Sequence, residues 1–431
     1  MIVMTDAHAI MDMLRRRTPG YSLDAPLYTS AAAHDLDMDL IFHRHWIFVG
    51  VTPDVPEPGD VMTVEVGQSS VLIICGEDQE IRAFHNVCRH RGARLLSGPK
   101  GTVGNIVCSY HGWTYGETGE LLFAEHMGPD FDRSCHGLKP VHLRTLAGLI
   151  FICLADDAPD DFDRMAQDIA PYIAPHDLTN AKVAHSWDLI EDGNWKLTME
   201  NNRECYHCAG NHPELTVPLQ EYGFGFSPDE LDDYRKADVA KYQDELDVAY
   251  ARWAAMGLPS EELENLAAPT GYRTQRLVLM GAGESHTLDT RRACNKLLGS
   301  FTDARLGGLS LWTHPNSWHH FMADHAVTFM CMPLGPDRTL VRTKWLVHKD
   351  AVEGVDYDLE NLTRVWTMTN RQDADLVALA HSGIAQPAYE AGPYSQFTES
   401  FVESFCQWYG ARIAAGLGQS LTLVDETVAA E

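Results

Sequence analysis

Residues 194–215 read NWKLTMENNRECYHCAGNHPEL and place two histidines, three carboxylates and two cysteines in one short segment. Asn194 follows Gly193 and is a good N-cap. Trp195, Met199, Asn202 and Tyr206 recur at helical spacing, which predicts a helix across the front half. On such a helix Glu204 and His207, three apart, share a face. His212 comes five residues after His207, which an unbroken helix would turn away. The run Gly210-Asn211-His212-Pro213 ends or kinks the helix and lets His212 swing back. Two imidazoles converging beside a carboxylate form a metal-ligand arrangement. The stretch alone also admits incidental surface histidines in a chain that has 21, or a zinc site built from Cys205, Cys208, His207 and His212.

Upstream, Cys88-Arg89-His90 and Cys108-Ser109-Tyr110-His111 are separated by seventeen residues. Each loop offers one thiolate and one imidazole, the set that a [2Fe–2S] cluster with two Cys on one iron and two His on the other requires. Gly92, Gly112, Trp113 and Gly116 allow tight loops to close over it. Zinc also binds two Cys and two His, but zinc fingers generally put the cysteines in one half and the histidines in the other. Here each half mixes the two, so the Rieske-type cluster is the reading. The surrounding block, residues 46–155, has a β pattern, with extended runs at 61–66, 71–75, 81–84 and 148–154. Cys75, Cys135 and Cys153 have no partners at ligand spacing and read as small buried residues.

Downstream, a helical segment runs from about Asp356 to His381. Leu362, Trp366, Thr369, Leu376 and Ala380 mark one face, and Asp373 falls on it. A buried carboxylate there needs a cation or strong donors. Asp375 instead lies four residues after Arg371, a ready partner on the solvent side. A salt bridge or an early helix end would also account for Asp373; alongside His207 and His212 it reads as the third metal ligand, and two His plus one carboxylate is the facial set of non-haem Fe(II) oxygenases, which leaves positions open for O2.

The remaining chain adds limits. With 431 residues, 45% of them hydrophobic, two domains are expected. The net charge of −28 argues against nucleic acid and is compatible with a cationic substrate. No apolar run reaches the length of a membrane span, and the N-terminus lacks the order of a signal peptide, so a cytoplasmic protein is expected. Ten cysteines in such a chain are not a disulfide framework, and each is expected to be a thiol or a ligand. Residues 156–190, rich in Asp and Pro, read as a connector. The segment 219–265 reads as exposed acidic helix, and Leu309–Trp312 through Trp345–His348 as three strands. Gly281-Ala282-Gly283 and Gly223-Phe224-Gly225 lack a strand–GxGxxG–helix setting, so no dinucleotide site is expected.

The C-x-H…C-x2-H pair, the E-x2-H-x4-H segment and the late carboxylate together resemble the α subunits of Rieske non-haem iron oxygenases, over nearly the whole chain. The phrases ENNRECYHC-x3-HPEL, TKWLVHKDAVEGVDYD (Thr343 to Asp358) and GPYS (Gly392 to Ser395) look like the branch that acts on quaternary ammonium compounds. The resemblance implies an α+β fold: an all-β Rieske domain at 46–155 and a helix-grip catalytic domain at 156–431, whose curved antiparallel sheet wraps a long helix. Residues 1–45 would form a helical lead-in on the catalytic domain. It implies a [2Fe–2S] cluster on Cys88, His90, Cys108 and His111, and mononuclear Fe(II) on His207, His212 and Asp373. Glu204, where most ring-hydroxylating relatives have Asp, would carry electrons between the two, and Asn201 would hydrogen-bond near the iron. The implied activity is oxidative N-demethylation of a betaine. Glycine betaine going to dimethylglycine and formaldehyde comes first; proline betaine, carnitine, choline and aromatic rings are the alternatives. The implied partners are O2, a separate flavin/ferredoxin-type NAD(P)H reductase and two further copies in a homotrimer. A trimethylammonium group wants an aromatic, desolvated pocket, for which Trp318, Phe321 and Tyr206 are candidates. The chain departs from the pattern at Ala378 and His381, where relatives often carry Glu and Gln, which puts the surroundings of the iron ligands in question.

Overall fold

The computed structural model describes residues 4–421, so the extreme ends of the expected lead-in and catalytic domain lie outside the described residues. The first half is built on a seven-stranded antiparallel sheet. Its strands run in the order Ile47–Val51, Leu149–Cys153, Pro140–Leu146, Ile81–His85, Ser69–Cys75, Asp60–Val66 and Lys100–Thr102. A small sheet of Ile106–Val107, Thr114–Tyr115 and Leu121–Phe123 sits beside it. Every residue of Leu149–Cys153 is buried, as its unbroken apolar run requires.

The second half is also a seven-stranded antiparallel sheet. Its order is Ala181–Glu191, Arg338–His348, His325–Gly335, Ser317–Phe321, Gly308–Thr313, Tyr272–Leu277 and Leu263–Asn265. Thr343, Phe329, Trp318 and Trp312 stand opposite one another on successive strands and so form one row on one face. His320, on the same face, stacks on Trp366 of the helix Leu359–Ile384 with ring centroids 4.3 Å apart. That face therefore holds the long helix. The sheet curls around it as the helix-grip expectation has it.

Several local expectations change. The region 309–348 contains four strands, because Ser317–Phe321 pairs on both sides as a separate strand. The supposed connector is structured: it holds the helix Phe162–Ile173 and the strand Ala181–Glu191, which pairs along the edge of the second sheet. On the helix Leu359–Ile384 the buried positions after Asn370 are Val377 and Ile384, while Leu376 is half-buried and Ala380 exposed. Arg371 lies over the ring of Trp187 at 5.5 Å and makes no ion pair with Asp375. Cys135 is exposed, unlike Cys75 and Cys153. The helix Asp233–Ala255 buries Tyr242, Leu246, Ala249 and Trp253, so one of its faces packs. Among the described residues no helix is long and apolar enough to cross a membrane.

One buried carboxylate ties the N-terminal helices to two helices of the second domain. Asp37 is fully buried and accepts from the indole of Trp195 at 2.8 Å, the hydroxyl of Tyr409 at 2.9 Å and the ammonium of Lys196. Lys196 is itself fully buried, so removing its partner leaves an uncompensated charge in the core. Asp37→Ala should therefore destabilise the fold by about 3–5 kcal/mol, read as a lowered midpoint in urea or thermal unfolding.

Candidate metal centres

In the first sheet's domain the two cysteine loops have matching backbones. The amide of Cys88 donates to Ala93 and that of Cys108 to Trp113, each at 2.8 Å. The amides of Gly92 and Gly112 then close the turns onto the carbonyls of Cys88 and Cys108. Both glycines have positive φ, 76° and 70°, the left-handed conformation that a side chain disfavours. The matched turns bring the four side chains to one place. Cys88 and Cys108 are buried with their thiols in mutual hydrogen-bond contact, and the rings of His90 and His111 lie 4.7 Å apart on the exposed side. Burial raises the Cys108 thiol, so a thiolate at this depth needs a metal or other cation to hold its charge. Tyr115 stands by the sulfur of Cys88 at 3.2 Å and receives the amide of Arg89 at 2.9 Å. Trp113 stacks on His90 at 4.8 Å. The donor set fits a cluster with its sulfur ligands inside and its imidazoles at the surface.

In the second domain Asn194 caps the helix Trp195–Asn201 by accepting the amide of Lys196, as its position predicts. The helix stops sooner than its spacing suggests. Residues 202–207 turn before the short helix Cys208–Asn211, so Glu204 and His207 do not share a helical face. Their contact comes from the turn instead. The carboxylate of Glu204 accepts from the amides of Tyr206 and His207 and from Nδ1 of His207. Within the same turn Cys205 and Cys208 are joined as a disulfide, with Cα atoms 5.0 Å apart, inside the range such a bond spans. They are thus neither free thiols nor zinc ligands, which corrects both readings. The spacing alone did not separate a bonded pair from packing residues.

His212 follows the short helix and swings back: its ring centroid lies 4.9 Å from that of His207. Its Nδ1 donates to the side-chain oxygen of Gln372 at 2.9 Å, and Gln372 in turn donates to Glu214 at 2.9 Å. With Nδ1 of both rings given to oxygen acceptors, both Nε2 atoms present lone pairs. These face Oδ1 of Asp373, 3.4 Å from His207 and 3.0 Å from His212. That oxygen is buried and has no hydrogen-bond donor. Three lone pairs meeting in a buried place repel one another unless a cation sits among them, so the geometry fits a divalent metal. Electrostatics agree in direction. Burial works against the charged forms, yet the imidazoles hold the Asp373 carboxyl below its ordinary value, and the carboxylates of Asp373 and Glu204 raise His207 to about 9, so this point draws positive charge, and either a proton on Nε2 or a metal ion in its place supplies it. The side-chain amide of Asn201 lies 3.5 Å from Nε2 of His207.

Gln372, Glu214 and Glu191 were not singled out from the sequence. Gln372 is adjacent to Asp373, which is the one signal that could have marked it. Glu191 is buried, accepts from the hydroxyl of Thr198 at 2.6 Å and is raised to about 8, first by burial and then by the charge of Asp373. Between its ordinary 4.5 and that value the folded chain holds a proton that the unfolded chain has released. Its contribution to stability is full below the lower value and is lost as pH rises through the upper one. Glu191→Gln should accordingly reduce the fall in melting temperature between about pH 4.5 and 8, with little change outside that window. The expected ammonium pocket is not assembled: Trp318 stacks on Phe329 at 4.9 Å on the concave face. Phe321 is buried against His176 at 5.3 Å, and Tyr206 is exposed.

Comparison with known proteins agrees with this layout. Residues 45–142 match the Rieske [2Fe-2S] domain and residues 178–415 the ring hydroxylating alpha subunit (catalytic domain). The chain is 42% identical over 414 residues to the glycine betaine monooxygenase oxygenase subunit of Pseudomonas aeruginosa (strain UCBPP-PA14), covering 95% of this chain and 93% of that one. To the carnitine monooxygenase oxygenase subunit of Acinetobacter pittii (strain PHEA-2) it is 33% identical over 202 residues, 45% of this chain and 53% of the other. The solved structure of a quaternary ammonium Rieske monooxygenase superposes with a TM-score of 0.67 at 20% identity, covering 92% of this chain and 98% of that one. Two mixed Cys/His loops in a β domain, followed by a curved sheet gripping a helix whose Asp373 meets two histidines, place this chain among the ring-hydroxylating oxygenase α subunits, whose cofactors are a Rieske [2Fe–2S] cluster and a mononuclear iron.

Proposed function

We propose that the chain is the terminal oxygenase of a system that N-demethylates glycine betaine. One observation carries this: the likeness to the glycine betaine monooxygenase subunit runs through 95% of the chain, while that to the carnitine enzyme covers 45%. In this reading Cys88, His90, Cys108 and His111 hold the cluster, His207, His212 and Asp373 hold the iron, and Glu204 links them. The chain divides into a lead-in to residue 45, a cluster domain at 46–155 and an iron domain beyond. It works in the cytoplasm as a homotrimer served by a flavin/ferredoxin-type NAD(P)H reductase.

When bound, the two centres supply electron transfer and O2 activation. The protein's own residues position them. Glu204 and Gln372 fix the Nδ1–H tautomers of His207 and His212, which aims both Nε2 atoms inward. Asn201 places an amide donor at the edge of the site. The overall change is insertion of one oxygen atom into an N-methyl C–H bond, with the other leaving as water at the cost of two electrons and two protons. The carbinol then breaks its C–N bond, and formaldehyde and dimethylglycine leave.

The test is a panel of glycine betaine, proline betaine, carnitine, choline and naphthalene with a surrogate reductase and NADH. Formaldehyde should appear with glycine betaine at the highest kcat/KM. A higher value for another compound, or a ring diol from naphthalene without formaldehyde, would replace this reading.

A further inference from the structure

A cavity beside the iron loop has no part in the chemistry described above. Its volume is about 340 Å³, within the range of small-molecule sites. Cys205 and Tyr206, which lie between Glu204 and His207, form one wall. The others come from the segments Glu221–Phe226 and Ser395–Thr398 and from the start of the helix Asp233–Ala255. The two loops are fixed to each other at Gly225. Its φ is +100°, and a Cβ there would come within 2.1 Å of the carbonyl oxygen of Phe397, so only glycine permits the approach.

The lining has a particular chemistry. Tyr206, Tyr222, Phe224, Phe226 and Phe397 supply aromatic surface, and Tyr222 and Phe226 stand perpendicular with centroids 5.7 Å apart. Glu221, Glu230 and Arg235 line the same space, and none of the three makes an ion pair among the described residues. A quaternary ammonium group has no N–H to donate. It is held by ring faces and by nearby negative charge. Aromatic walls with two unpaired carboxylates meet that need, and the guanidinium of Arg235 complements a carboxylate on the same small molecule.

We propose that this cavity is an outer binding site for zwitterionic quaternary ammonium carboxylates, which holds substrate at the mouth of the iron site. The inference rests on the proposed function for the identity of the zwitterion, and its test separates the two. Calorimetric titration of the holoenzyme uses tetramethylammonium chloride as the cation probe and 3,3-dimethylbutyrate as the carboxylate with an uncharged tert-butyl head. Glu221→Gln/Glu230→Gln should weaken tetramethylammonium about tenfold and not weaken 3,3-dimethylbutyrate. The same variant should raise KM for glycine betaine while kcat holds. Arg235→Ala should do the reverse to the two probes. Unchanged tetramethylammonium affinity and unchanged KM in the double variant would overturn the site. If the probes respond as stated but no betaine releases formaldehyde, the site stands and the demethylase reading falls.

Discussion

Glu204→Ala should keep the cluster and the iron and lower turnover by about ten- to a hundredfold. The carboxylate of Glu204 receives the ring N–H of His207 and two backbone amides in one turn. It thus ties the ring of His207 to the turn at 202–207. Alanine leaves Nε2 of His207, Nε2 of His212 and Asp373 facing one another, so iron binding survives. What it removes is the hydrogen-bonded connection and the lock on the tautomer. Iron analysis and the Rieske EPR signal should match wild type while single-turnover transfer from the reduced cluster slows. Normal turnover in this variant would show that the relay runs elsewhere. Glu204→Asp should recover part of the rate, because the carboxylate is kept and shortened.

Asp373→Ala should take the chain from about three irons to about two, with the cluster spectrum intact and no oxygenation. Oδ1 of Asp373 is the point on which both imidazoles converge, and two neutral imidazoles alone bind Fe(II) far more weakly than with a carboxylate. Full iron content in this variant would move the third ligand to another residue. Asp375, the nearest carboxylate in sequence, is exposed, so Asp375→Ala should leave iron and rate unchanged.

Both cofactor regions were legible in the sequence because their signals are local. C-x-H and C-x2-H fix the order of donors within tight loops, and Asn194 and Pro213 mark the ends of the helical stretch. Asp373 was harder, since a helix face is a weak signal, and its contact with two histidines more than half the catalytic domain upstream depends on how the sheet curls. The turn at 202–207 was misread as helix because Asn202 and Tyr206 keep helical spacing. In the structure the carboxylate of Glu204 and the amides it accepts compete with helix continuation, as acidic side chains near a chain reversal do. The Cys205–Cys208 bond followed from that turn and was missed with it. Gln372 and Glu191 carry no pattern at all: each is a buried partner defined only by what it touches, and such residues emerge only once the fold is known.

Within each cysteine loop the two donors differ in depth, with the sulfur inside and the imidazole outside. A cluster held there has one face insulated by protein and the other wet. Its potential depends on hydrogen bonding and solvent exposure, so it is not fixed by this polypeptide alone. Whatever presses on His90 and His111 dehydrates them and alters the driving force for the electron that passes. A docking event at that tip therefore acts as a dial on the energetics of transfer as well as a way of closing the distance.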